Sequence, residues 1–282
     1  MGWERLRYAR LLPLAARARR LADAYAAVVA IVEERRDPAR RSSAEQRMQR
    51  WLGITPSAAR RLHQRCLRSE AYEEADAAFF MRRPVADLAA AFAPASGDAL
   101  AAEPVLYVGL HLGSPVLGYL HLSSMAPALA LIARGLDPGN PLSDAKRRFA
   151  AAKVAWTEAR AGRPFFGTDG ESMLRVRSHL RAGKPLYLLA DVPGDTVGRA
   201  EPCRLFGEAV RVAAGLPTLA RIAASPVQTL AVTREARGFT LRFGPRLAPG
   251  TITMPAVLDA LAPFIRAHAD QWWMWPYLPS AD

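Results

Sequence analysis

The chain has 282 residues, 51% of them hydrophobic, and a formal charge of +12 from 38 Lys+Arg against 26 Asp+Glu. That length and apolar content exclude a disordered chain and suffice for one large α/β domain with a helical extension or for two small domains. The positive charge favours anionic partners such as acidic lipid, acidic carrier proteins or phosphorylated acceptors, and the two cysteines, Cys66 and Cys203, show neither CxxC nor metal spacing.

Residues 1 to about 93 read as helical throughout. Leu6, Leu11, Leu12, Leu14 and Leu21 alternate with arginines, which makes a basic amphipathic surface suited either to packing on the core or to lying on an anionic membrane. The apolar stretches are broken by Arg17, Arg19, Arg20 and Asp23, so neither a signal peptide nor a membrane span is expected there. Thr55-Pro56-Ser57 reads as a helix start, and Pro84 as a stop after the segment Arg60 to Arg83. Pro94 to Pro104, rich in Ala, Ser, Gly and Pro, is the expected boundary, which divides the chain into a helical region, 1–95, and an α/β domain, 96–282.

From Val105 the texture changes to alternating strands and helices. Val105 to Leu110 is a short continuous apolar run and reads as a buried strand ending at His111. Leu117–Met125 follows as a helix, Ala128–Ala133 as a strand ending at Arg134, and Leu142–Ala161 as a helix capped by Ser143. Pro164 to Phe166 reads as a short strand, Glu171–Arg181 as a helix closing at Gly183, and Pro185–Ala190 as a buried strand that delivers Asp191. A loop is expected up to Gly207, then a helix from Ala214 to Ala224, antiparallel strands Val227–Thr233 and Phe239–Phe243, a helix from Met254 to Ala269, and an aromatic tail. The pattern predicts an α/β fold whose mixed, mostly parallel sheet is flanked by helices.

A histidine at the C-terminal end of a buried strand sits where open α/β sheets place their chemistry. Other motifs fail. Ser114 is not in a nucleophile elbow, because Leu112 and Val116 stand where glycines are needed. Gly162 to Thr168 lacks the lysine of a phosphate loop. The remaining histidines have no metal spacing, and no nucleic-acid module is recognisable, so neither a metal nor nucleic-acid binding is expected.

The ordered set of motifs resembles the bacterial lipid A biosynthesis acyltransferases of the lauroyl/myristoyl type, within the glycerolipid acyltransferase superfamily, over about residues 100 to 277 and more faintly before that. His111-Leu112-Gly113 is similar to the family's strand followed by His-Phe-Gly-Asn-Trp-Glu. Leu131 to Arg134 falls where the family has a strand ending in Tyr-Arg-Pro, and Leu188-Leu189-Ala190-Asp191 resembles its Leu-Leu-Pro-Asp-Gln. Leu205-Phe206-Gly207, Gly215 and Leu219-Ala220-Arg221 resemble a further pattern of the family, as does Gln271-Trp272-Trp273-Met274-Trp275 in the tail.

The resemblance implies transfer of an acyl group from a carrier-protein or CoA thioester to a hydroxyl (or an amine), without a cofactor, with His111 as general base. In the family an acid five residues after the histidine orients its ring; here that position is Val116. Asp191 is the candidate replacement, because it also ends a strand. His111 working alone, at a loss of roughly 10²–10⁴-fold, and a catalytically degenerate acyl-binding or scaffold subunit are the alternatives. Ser114, Arg134 and Arg221 are candidate substrate-binding residues, the arginines through phosphate on the acceptor or carrier arm. The family's usual N-terminal span has no counterpart, so a cytoplasmic enzyme, peripheral on the inner membrane, is expected; a non-lipid acceptor in a secondary-metabolite or pigment pathway fits as well. Trp272, Trp273 and Trp275 suit either core packing or a lipid interface.

Overall fold

The computed structural model describes residues 2–93, 105–133, 142–194 and 199–278. The expected boundary at 94–104, the turn at 135–141 and Arg134 lie outside them. The helices of the N-terminal region are α1 (Trp3–Leu6), α2 (Leu12–Ala15), α3 (Arg19–Arg36), α4 (Pro38–Leu52), α5 (Pro56–Phe80) and α6 (Val85–Ala90), with a π-helical turn over Arg7–Leu11. As the sequence implies, α5 starts with Pro56 in its first turn and the Thr55 hydroxyl accepting from the Ala58 N–H at 3.3 Å.

The remaining elements are β1 (Leu106–Gly109), α7 (Pro115–Met125), β2 (Ala130–Leu131), α8 (Asp144–Ala161), α9 (Gly170–Arg181), β3 (Leu186–Leu189), β4 (Ala200–Leu205), β5 (Glu208–Ala213), α10 (Leu216–Ala223), β6 (Val227–Glu235), β7 (Gly238–Leu247) and α11 (Met254–Ala267). Five strands form one sheet in the order β2-β3-β1-β6-β7, parallel except for the β6–β7 hairpin. All four residues of β1 are buried, so the strand reads as a continuous apolar run rather than an alternating one. Leu106 and Val108 join one hydrophobic cluster with Met48, Trp51, Leu258 and Trp272. Tyr107 joins the cluster on the other face, with Phe80, Tyr119 and Tyr187. Side chains of α4 and α5 therefore pack into the same core as the sheet.

Two readings of the sequence need correction. The stretch expected to be a loop up to Gly207 holds a separate two-stranded sheet, β4 against β5, in register from Ala200 with Ala213 to Leu205 with Glu208. Pro202 has no N–H to donate, but β4 pairs on one side only, where that is tolerated. The turn is Phe206-Gly207, both left-handed at φ 55° and 85°, without the Asn or Asp that usually signals it. Second, Phe166 is a single bridge to Ile132 rather than a strand.

A third cluster joins Tyr8, Leu12, Tyr25 and Val29 to Ala71 and Ala75 of α5, whose small side chains let the helices approach closely. At its edge Arg7 donates to Glu33 and Glu74 at 2.8 Å each, and the phenols of Tyr8 and Tyr25 donate to the two Glu74 oxygens at 2.7 and 2.8 Å. Helix α3 buries Ala22, Tyr25, Ala26, Val29 and Ala30 and leaves Leu21, Val28 and Ile31 exposed. Among the described residues, no helix is long and apolar enough to cross a membrane.

Candidate active site

β1 and β3 run side by side with Leu106 opposite Leu186 and Gly109 opposite Leu189, and each chain continues two residues beyond its strand. His111 and Asp191 therefore emerge together at the C-terminal edge of the sheet, on its two central neighbours, where an open α/β sheet opens a crevice. The His111 backbone N–H donates to Asp191 Oδ2 at 2.8 Å, and its ring Nδ1 lies 2.9 Å from Oδ1.

Trp272 supplies a third donor, its indole Nε1–H reaching Asp191 Oδ2 at 2.7 Å. The carboxylate is fully buried, whereas the His111 side chain keeps 28% of its surface exposed. An ionised carboxylate only accepts, so Nδ1 carries the proton and Nε2 keeps its lone pair. Among the described residues Nε2 has no hydrogen-bond partner. The arrangement can take a proton at Nε2 and hold the resulting imidazolium against a buried negative charge.

The tail straps this site down. Gly113 N–H donates to the Gln271 carbonyl and Trp273 N–H to the His111 carbonyl, each at 3.0 Å. The Gln271 side-chain amide accepts from the Arg234 N–H at 2.8 Å and donates to the Arg234 carbonyl at 3.0 Å, which ties the tail to β6. Gly113 is required on two counts. Its φ is +61°, and a Cβ there would lie 2.1 Å from the Val232 carbonyl oxygen. Behind the pair, the Tyr187 hydroxyl is buried and unpartnered among the described residues, and burial with the nearby Asp191 charge pushes its phenol up.

Ser114 precedes α7, three residues from His111; it is 1% exposed and its hydroxyl has no partner among the described residues. Val116, at the position of the family's acid, lies in the first turn of α7. Arg221 is exposed in the last turn of α10, and neither His111 nor Asp191 is among its partners in the described residues. Of the tail tryptophans, Trp272 and Trp275 are core residues, 0% and 1% exposed, packed edge to face at 4.8 Å, so they do not form an exposed lipid-facing cluster. The residue that sequence reasoning missed is Trp272 as donor to Asp191; the signal was its indole N–H, which needs a partner once buried. Among the described residues, no group of three or more His, Cys, Asp or Glu side chains is placed to hold a metal ion. No protein-family model and no curated protein matches the chain.

Proposed function

We propose that this protein is an acyltransferase with a glycerolipid acyltransferase-like fold, of the lipid A and lysophospholipid type. It moves an acyl group from a carrier-protein or CoA thioester to a hydroxyl or amine. The observation that carries the reading is the contact between His111 and Asp191: a buried carboxylate from the neighbouring strand meets the ring that position 116 leaves without an acid. A partly exposed His111 favours catalysis over a scaffold role, for which a ring plugged by side chains would be expected.

In this reading His111 Nε2 takes the acceptor proton as the acceptor oxygen attacks the thioester carbonyl carbon. The oxyanion is assigned to backbone N–H groups in the first turn of α7, after Pro115, where the cap residue Ser114 makes no side-chain hydrogen bond. Collapse of the tetrahedral intermediate expels the thiolate, which takes the proton from the imidazolium and leaves as the carrier thiol. Asp191 holds the charged ring throughout, and Trp272 holds Asp191.

The proposed setting is cytoplasmic and peripheral on an anionic membrane. Its support is the outer face of α3, where Leu21, Val28 and Ile31 lie 45%, 44% and 48% exposed among the exposed arginines 17, 20 and 35. The deciding experiment offers a panel of acyl-carrier and acyl-CoA donors to wild type and His111→Ala. Product that collapses in the variant supports the reading, and equal inertness across the panel overturns it. Flotation with anionic liposomes separates a lipid-surface enzyme from one that takes a non-lipid acceptor.

A further inference from the structure

A hollow lies away from His111, against the far end of α7. The eleven residues of α7 rise about 1.5 Å each, so its C-terminal turn stands on the order of 15 Å from the turn that follows His111. The hollow encloses about 260 Å³, floored by Phe80, Leu88 and Trp156 and rimmed by Arg83, Arg160 and Arg163. Phe80 and Leu88 are 4% and 7% exposed, so the floor belongs to the core while the rim is open.

Its charges are unbalanced. Among the described residues no acidic side chain lines the hollow. Arg160 donates to the Arg83 carbonyl at 2.9 Å, which draws two guanidinium-bearing segments onto one rim. The carboxylate facing Arg83 is Asp87 at 3.8 Å, on a pair whose side chains are both 45% exposed and whose attraction water largely screens. Arg163 makes one long bond, to the Ala161 carbonyl at 3.4 Å. In the wall, the Trp156 Nε1–H is buried and has no acceptor among the described residues.

Arg83 also lies 4.6 Å over the Phe79 ring, yet each of the three guanidinium groups keeps donors beyond the bonds above, and they gather over an apolar floor. We propose that this hollow binds a small amphiphilic anion, a carboxylate or phosphate whose head meets the arginine rim and whose apolar tail lies on Phe80, Leu88 and Trp156. Guanidinium forks match both heads bidentately. The volume, just below the usual range of about 300–1,000 Å³ for small-molecule pockets, suits a short tail. The site is separate from His111 and does not depend on the acyl-transfer reading.

The test titrates the full chain with octanoate, octyl phosphate, octanol and inorganic phosphate by calorimetry, for wild type and the Arg160→Gln/Arg163→Gln double variant. The expected result is saturable binding of an octyl anion, at least tenfold tighter than octanol or inorganic phosphate and at least tenfold weaker in the double variant. The stronger of the two octyl anions identifies the head group. His111→Ala should bind as wild type does. Affinity unchanged in the double variant, octanol or inorganic phosphate binding as tightly, or no saturable binding overturns the proposal. If the double variant does not fold, the wild type in 0.5 M NaCl decides: a weakening near tenfold supports the site, and an unchanged affinity refutes it.

Discussion

His111 and Asp191 face each other because β1 and β3 end in step. The strand pairing keeps a constant offset of 80 residues from Leu106–Leu186 to Gly109–Leu189, and the contact between positions 111 and 191 continues it. Leu-Tyr-Val-Gly-Leu-His and Leu-Tyr-Leu-Leu-Ala-Asp are thus two matched six-residue runs whose last members meet. A carboxylate from the neighbouring strand thus meets the His111 ring, and the pair costs the sheet no break in register.

In the proposed acyl transfer Trp272 would act as a positioning residue, since its indole N–H reaches His111 only through Asp191. Trp272→Phe should lower kcat about tenfold with KM little changed, as expected for loss of a hydrogen bond to a charged group. Trp275 packs in the same cluster but donates to the Ala269 carbonyl, so Trp275→Phe should leave kcat near wild type. Steady-state kinetics of both variants separates the hydrogen bond from the packing.

Gly113→Ala should cost at least about 2 kcal/mol, through a left-handed backbone and the approach to the Val232 carbonyl. For a chain of this size that lowers the thermal midpoint by on the order of 5 °C. Gly53 is also left-handed, at φ +65°, but a Cβ there meets nothing within 4 Å, so Gly53→Ala should lower the midpoint less. Melting curves of the two variants test whether the close approach matters beyond the strain.

Glu74→Gln should destabilise the chain by about 3–5 kcal/mol, because it removes one partner of a buried charge and leaves Arg7 undercompensated. Burial alone would raise the Glu74 carboxyl, but the Arg7 charge and the phenols of Tyr8 and Tyr25 hold it below the ordinary value. Chemical denaturation should show the loss, and limited proteolysis should show earlier cleavage in the first 36 residues.

Acidification should weaken the fold before the carboxylates titrate. Burial pulls His63, His121, His179 and His268 below their ordinary value of 6.5, so each is kept neutral in the folded chain. At these four positions the unfolded chain therefore binds more protons once the pH drops below about 6.5, and their contribution to stability declines from there, while Asp76, whose carboxyl is pushed up by burial, works in the opposite sense at lower pH. Glu74 and Glu235, held below 4.5, contribute stability that persists above that value and is lost on further acidification. The thermal midpoint should fall between pH 7 and pH 5, less steeply in His63→Gln/His121→Gln. A midpoint that rises over that range contradicts the assignment.

Much of this was legible in the sequence. The caps at Thr55 and Ser143 and the stop at Gly183 use local signals, and the elements follow them, while the hairpin expected across Arg237-Gly238 turns one residue earlier, at Ala236-Arg237 between the paired Glu235 and Gly238. The strand-end histidine and acid were legible for the same reason, as the terminal residues of two apolar runs. Strand order was not, since nothing local to β1 and β3 says that they are neighbours while β2 lies outside them. The β4–β5 hairpin was hidden because Phe206 occupies a left-handed position that aromatic residues rarely adopt. Trp272 could be read as aromatic, yet whether its N–H met a carboxylate depended on contacts between residues 81 positions apart.

The most direct test of the central claim is acyl transfer by Asp191→Asn beside wild type, with the donor that the wild type uses best. If Asp191 stands in for the acid absent at Val116, kcat should fall roughly 10²–10⁴-fold, as loss of assisted acid–base catalysis predicts, while the variant melts as a folded protein. A folded Asp191→Asn with wild-type turnover would mean that His111 works without it, and the account would fail at its centre.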